Sequence, residues 1–330
     1  MRSSLLFTLV LALILPLAVS AQEVGDITDE SAFTVSVDPQ YPAPYSQATV
    51  SLTSSTLNLT NTTMSVSIAG NEMYKGSVRP VAIPMGKAGS VTSVKVTIAS
   101  SGVSYTQTFS IQPQDVTLIA EPISSVPVFY PGKSLVPLEG DVRIVAIANL
   151  QNSNGKAFEP TALSYAWTVD GTKIASASGI GKQAIIVASP LQYRARQVSV
   201  SIMSQDGSLV GGASVSLTAL SPSVRIYKND PLLGILYDHA LSDTYAINAE
   251  DTLYAAPFSL PTTNGAPLLK WFLNGAAAQT GNSITLRPTG TGQGSASLSL
   301  VASGGGSAKA TESLSLSFGA SKSVLGLFGL

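Results

Sequence analysis

Apolar and polar residues alternate with a period of two along most of this chain, in short runs bounded by Gly, Pro, Asp, Asn and Ser. That period places successive side chains on opposite faces, which is the pattern of half-buried antiparallel strands. The first group of runs covers 33–37, 48–52, 64–68, 94–98 and 105–111, the last two forming a hairpin around Ser101-Gly102. A second group covers 116–120, 143–148, 164–170, 184–188, 198–203 and 213–218. A third covers 224–227, 252–256, 268–273, 283–286, 296–301 and 313–318, with 232–237 apolar enough for an extra edge strand. Beyond the first twenty residues, no helical period is sustained over ten or more positions.

One stretch recurs in each group. Trp167-Thr168-Val169-Asp170-Gly171 returns as Trp271-Phe272-Leu273-Asn274-Gly275, and in weakened form as Val66-Ser67-Ile68-Ala69-Gly70. Asp-Gly and Asn-Gly supply the two positive φ values of a type I′ turn, so each copy reads as one strand and its tight exit turn. A second landmark supports the repeat. The opening strand of each group ends in an acid followed by proline, at Asp38-Pro39, Glu121-Pro122 and Asp230-Pro231. Proline there removes a ladder donor and releases the chain from the sheet edge, and the acid is expected to accept locally in the turn. The predicted organisation is a leader over 1–21, a flexible acidic segment over 22–31 and three modules over 32–113, 115–220 and 222–318. An apolar tail over 319–330 ends the sequence. Short proline-bearing junctions at Gln112-Pro113-Gln114 and Ser221-Pro222 predict a semi-rigid rod.

These residues resemble a known class. Tyr165-Ala166-Trp167-Thr168-Val169-Asp170-Gly171 and Leu268-Leu269-Lys270-Trp271-Phe272-Leu273-Asn274-Gly275 are similar to the third-strand motif of bacterial immunoglobulin-like and PKD-like domains. The likeness covers the second and third modules; the first has Val66 where the others have Trp. It implies an all-β fold of tandem immunoglobulin-like antiparallel β-sandwiches, with Trp167 and Trp271 plugging the space between sheets. It also implies a cell-surface role in adhesion, spacing or assembly.

Composition narrows the function further. Charged residues make up 11% of the chain and the net charge is −1, so no basic stripe is available to neutralise phosphates and nucleic acid is not an expected partner. Arg2, the apolar run 5–19 and the small residues of Val19-Ser20-Ala21 form the tripartite pattern of a secretory signal peptide. Export to the periplasm, cell surface or extracellular space follows. A secreted chain with no cysteine fits a bacterial protein. No other stretch is apolar enough to span a bilayer.

Candidate chemistry is sparse. His239 is the sole histidine, and no Gly-x-Ser-x-Gly elbow accompanies it. The acid pairs Glu139/Asp141 and Glu250/Asp251 read as solvated loop charges rather than a glycosidase dyad. No metal site, cofactor or catalytic residue is expected. The tail residues Val324, Leu325, Leu327, Phe328 and Leu330 form either a frayed end, a strand of the third module or a docking peptide. The expectation is a non-enzymatic exported structural or adhesive protein that meets a protein or surface-polymer partner at the envelope. The alternative is a carbohydrate- or surface-polymer-binding accessory module. That alternative needs exposed coplanar aromatics, for which Tyr41 with Tyr45, or Tyr237 with Tyr245, are the candidates.

Overall fold

The computed structural model describes residues 32–247, 249–290 and 292–319. The expected leader, the acidic segment 22–31 and the tail residues Val324, Leu325, Leu327, Phe328 and Leu330 lie outside them. The described chain is all β, relieved by three single 3₁₀ turns at Leu59–Asn61, Pro160–Ala162 and Ala175–Ala177. It divides into two compact units. The first is built from residues 32–38, Ala48–Ile83 and Val91–Ile111. The second is built from Pro39–Gln47, Pro84–Ser90 and the described residues from Gln112 onward.

The first unit holds β1 (Thr34–Asp38), β2 (Gln47–Thr53), β3 (Thr63–Ile68), β4 (Asn71–Ser77), β5 (Val81–Pro84), β6 (Thr92–Ser100) and β7 (Val103–Ile111). They form a three-stranded sheet, β1-β2-β5, and a four-stranded sheet, β4-β3-β6-β7. Alternation does the sorting. Val50 and Ile83 from one sheet, and Met64, Val66, Val94, Val96 and Ile98 from the other, are wholly excluded from solvent. Their polar neighbours point outward, as period-two strands require.

The second unit contains two separate hydrophobic cores. The earlier is enclosed by β8 (Asp115–Pro122), β9 (Asp141–Asn149), β10 (Ser164–Val169), β11 (Thr172–Lys173), β12 (Gly179–Ile180), β13 (Ala184–Ala188), β14 (Ala195–Met203) and β15 (Val210–Thr218). The sheet β13-β9-β8 faces β11-β10-β14-β15, with β12 added to β10. The later core is enclosed by β16 (Ser223–Asp230), β17 (Gly234–Ile235), β18 (Thr244–Ile247), β19 (Asp251–Phe258), β20 (Leu268–Leu273), β21 (Ala276–Thr280), β22 (Ser283–Leu286), β23 (Gly294–Ser303) and β24 (Lys309–Phe318). Here β17-β16-β19-β22 faces β18-β24-β23-β20-β21. These are tandem immunoglobulin-like sandwiches.

The recurring strand is β3, β10 and β20, and each copy leaves through two consecutive positive-φ residues. These are Ala69 and Gly70 (48° and 87°), Asp170 and Gly171 (48° and 79°), and Asn274 and Gly275 (49° and 79°). That is the type I′ geometry. Trp167 and Trp271 are fully buried, and each indole N–H donates to a main-chain carbonyl, Lys182 O at 2.8 Å and Gly281 O at 2.9 Å. Val66 occupies the same place, three residues before its turn, with no exposed surface. Tyr165 is buried, while Val169 and Leu273 are half-buried against their cores.

Three features depart from the sequence expectations. Residues 232–237 do not make a strand of that length; only Gly234–Ile235 pairs with β16. Asp230 Oδ1 accepts from Leu232 N (2.9 Å) and Leu233 N (3.1 Å), which curls the segment into a turn and leaves Leu232 92% exposed. The later core instead gains β18, which runs parallel to β24, so its second sheet is not purely antiparallel. Finally, Glu121 is not a local turn acceptor. It pairs with Arg143 on the neighbouring strand, because Pro122 stays in the ladder of β8.

Candidate functional site

The most built polar region of the second unit is the junction between its two cores. The crossover from β8 to β9 and the loop from β19 to β20 run side by side there. Ser125 N donates to Leu260 O (2.8 Å), Ser259 N to Ser125 O (3.0 Å) and Thr262 N to Ile123 O (3.1 Å). Leu220 N, just before β16, donates to Val136 O at 2.9 Å. Two loops thus form a short stretch of sheet between the sandwiches. Side chains reinforce it. Ser125 Oγ accepts from Leu260 N (3.1 Å), and Ser259 Oγ donates to Leu220 O (3.1 Å). Ser259 is 1% exposed. A buried hydroxyl costs free energy unless it is bonded, and these are. Tyr130 meets Phe258 edge to face at 5.5 Å.

Close approach is needed to make these bonds, and glycine permits it. A Cβ on Gly304 would come within 2.9 Å of Pro261 Cδ, and one on Gly140 within 2.6 Å of Pro137 Cγ. Both glycines look like ordinary turn residues in the sequence.

Beside this seam lies a cleft of about 370 Å³, lined among others by Glu139, Asp141, Ser189, Thr263 and Asn264. Glu139 Oε1 accepts from Ser307 Oγ (2.6 Å) and Oε2 from Ser307 N (2.9 Å). The Ser307 hydroxyl, then its amide, holds the Glu139 carboxyl below its ordinary range. Asp141 Oδ2 accepts from Thr263 Oγ1 at 2.9 Å. The two acids expected to be solvated loop charges therefore tie one core to the other. Glu250 and Asp251 are partnered as well, with Arg287 and Lys228. Among the described residues there is no group of three or more His, Cys, Asp or Glu able to hold a metal. What the cleft's carboxylates do here is accept hydrogen bonds from hydroxyls and an amide.

The sequence-predicted residues fall into two places. Trp167, Asp170 and Gly171 serve the earlier core, and Trp271, Asn274 and Gly275 the later. Asp170 Oδ1 accepts from Gln197 N at 2.9 Å, and Asn274 Oδ1 from Ser297 N at 2.8 Å. Each acceptor prolongs the ladder by one bond past the end of its strand. His239 is exposed.

The candidate aromatics do not make a flat platform. Tyr237 packs edge-on against Tyr227 (5.2 Å, 67°) and Tyr254 (6.4 Å, 88°). Among the described residues its hydroxyl is buried without a hydrogen-bond partner, and burial, with Tyr254 and Tyr227 adding to it, pushes the phenol up to about 12. Tyr245 is half-buried, and burial raises its phenol too. Tyr41 hydrogen-bonds Ser201 (3.1 Å), whereas Tyr45 is 79% exposed.

No family model matches the chain, and no curated protein does. Among solved structures, it is similar to the three N-terminal domains of the bacteriophage RB49 highly immunogenic outer capsid protein. The identity is 14%, the match covers 87% of this chain and 99% of that one, and the TM-score is 0.24. The fibronectin(III)-like modules of Clostridium thermocellum CbhA match at 12% identity over 58% of this chain and 92% of theirs, TM-score 0.23. The central fibronectin-III array of RIM-binding protein matches at 9% over 86% and 95%, TM-score 0.25. At these TM-scores the likeness carries no argument, and the fold rests on the sheets and cores themselves.

Proposed function

We propose that this chain is a non-enzymatic exported structural protein. Its immunoglobulin-like modules, over 32–113, 115–220 and 222–318, mediate surface attachment or envelope assembly through protein–protein contacts. The observation that carries this reading is the junction in the second unit. Two cores joined by main-chain hydrogen bonds, buried serines and the Glu139–Ser307 clasp act as one stiff body. A spacer or assembly element needs that stiffness, because a flexible tether loses the fixed relation between its ends. The carboxylates nearest a cleft are spent on the clasp rather than left for proton transfer.

The test is retention of the full chain on isolated bacterial envelopes pretreated in two ways. Protease treatment should abolish retention, and periodate oxidation of surface glycans should leave it intact. Retention that survives protease but fails after periodate would replace this reading with the carbohydrate-binding one.

A further inference from the structure

Tension on a chain enters a sandwich through its first strand and leaves through its last, so the way those two strands are held sets the load the sandwich bears. In the first unit they are β1 and β7, and around the earlier core they are β8 and β15. Among the described residues each of these four ends its sheet and is laddered along one side only, in the orders β1-β2-β5, β4-β3-β6-β7, β13-β9-β8 and β11-β10-β14-β15. The later core is built differently. Its first strand, β16, lies between β17 and β19, and its last, β24, lies between β18 and β23.

The crossover from β16 to β19 makes the difference. Asn229 pairs with Ile235 and Asp230 with Gly234, while Leu236 N and Leu241 N donate to Lys228 O (2.9 Å) and Ile226 O (2.8 Å). The same stretch then changes sheets. Ser315 N donates to Asp243 O (2.7 Å), and β18 runs beside β24 from Thr244 opposite Ser315 to Ile247 opposite Phe318. One segment, 234–247, thus clasps both terminal strands.

The direction of load brings these bonds into play. Arg225, near the start of β16, pairs with Glu312, near the start of β24, at 3.2 Å. The two strands therefore start at the same end, and the first residue of β16 lies at the opposite end from the last residue of β24. Tension between those residues runs along the strands. Ladder bonds reach from strand to strand, so that pull strains a whole ladder together rather than opening it bond by bond. A second ladder adds bonds that must break in the same event. Around the earlier core the load also runs along the strands, since Gly211 near the start of β15 lies against Gln114 and Val116 at the start of β8. There a single ladder on each terminal strand bears it.

We propose that the later sandwich is the load-holding module of this chain. Under tension between the chain's ends, the first unit and the earlier sandwich open while the later one stays folded. This rests on the attachment role proposed above and names the part that keeps its hold when the attachment is pulled.

Single-molecule force spectroscopy on the whole chain, tethered at its two ends, tests it. Gly102 and Gly207 sit in turns with open space around them. Ten glycines inserted after Gly102, or in a second chain after Gly207, lengthen the step of the first unit or of the earlier sandwich by about 35 Å. The step that neither insertion changes belongs to the later sandwich. It should come last and at the highest force, and a force equal to or below that of either lengthened step overturns the proposal. Forced rupture follows the unfolding rate rather than equilibrium stability, and two variants separate the two. Tyr245→Pro takes a donor out of β18 and should bring the later step down to the force of the earlier sandwich. Leu286→Ala empties a buried position on β22, which among the described residues pairs only with β19. It should lower the denaturation midpoint and leave the rupture force unchanged. Equal losses of force in both variants would make stability the cause and refute the clasp. Should Tyr245→Pro not fold, the order of steps in the parent and the force of Leu286→Ala decide the matter. Protease-sensitive envelope retention by a chain whose later sandwich opens first would sink this inference and leave the attachment role standing.

Discussion

Replacing Ala69 with asparagine should stabilise the first unit. Ala69 sits at φ 48°, in the left-handed region, at the first position of the type I′ turn after β3. An L-residue other than Asn, Asp or Gly pays about 1 kcal/mol or more to stand there. The two sister turns carry Asp170 and Asn274 at this place, and each side chain also accepts from the amide opposite, Gln197 N and Ser297 N. The register puts Ser93 in the same position across from Ala69, since Ile68 faces Val94 as Val169 faces Val198 and Leu273 faces Leu298. Ala69 N already donates to Ser93 O at 3.1 Å, so the two backbones are in place and only the side-chain acceptor is missing. A net hydrogen bond at an exposed turn is worth about 0.5–1.5 kcal/mol. With relief of backbone strain the gain should come to about 1–2 kcal/mol. For a sandwich of this size, that is a rise of roughly 5–10 °C in Tm.

The assay separates the units by their chromophores. Both tryptophans, Trp167 and Trp271, belong to the second unit. Thermal unfolding followed by tryptophan emission should be unchanged in Ala69→Asn, while the far-UV dichroism component absent from the emission curve moves up. Ala69→Gly is the necessary companion, because glycine removes the strain without offering an acceptor. If Ala69→Asn leaves that component in place, the equivalence of the three turns is wrong. If Ala69→Gly gains as much as Ala69→Asn, strain is the whole effect and the hydrogen bond contributes nothing.

Other outcomes follow from single contacts. Trp271→Ala should cost about 3–5 kcal/mol, from the cavity and the lost bond to Gly281 O, and should appear as early unfolding of the second unit in chemical denaturation. Gly304→Ala forces a methyl against Pro261 and should cost about 1–3 kcal/mol, read as uncoupling of the two cores into separate calorimetric transitions. Glu139 has its folded pKa below its ordinary value, so its clasp is intact above about pH 4.5 and is lost as pH falls through the lowered value. The protection factor of the Ser307 amide, its exchange rate corrected for the intrinsic slowing of exchange in acid, should therefore fall on acidification in the parent, and Glu139→Gln should flatten that dependence.

The strands and their turns were legible because their rules are local. Period two separates Val94, Val96 and Ile98 from Lys95 and Thr97 without reference to anything distant. Asp-Gly and Asn-Gly declare two positive φ values within two residues. What escaped depends on partners far along the chain. β18 is four residues whose pairing is with β24, some seventy positions later, so nothing near Thr244 announces it. β4, Asn-Glu-Met-Tyr-Lys-Gly-Ser, is exposed on nearly every residue and has no alternation to read. The clasp joins Glu139 to Ser307 across 168 positions. Ser124, Ser125 and Ser259 look like loop serines, yet they are buried because another loop comes to meet them. Gly140 and Gly304 carried the only available signal, and it was ambiguous: a turn and a close approach both call for glycine.

The low charge of the chain connects these observations. Each of the five ion pairs among the described residues has at least one side chain more than a third exposed, so each is worth about 0–1 kcal/mol and weakens with salt. Cohesion therefore comes from burial, ladders and hydroxyls, and added salt should move the melting temperature little. The same economy has a consequence at the sheet edges. Lysine and glutamate are the usual guards against strand addition, and a chain that is 11% charged has few to place. It places them on β4, β8 and β24. The edges β7, β13 and β15 receive none, although Thr106 and Thr108 on the outer face of β7 could each have been a lysine without touching the core.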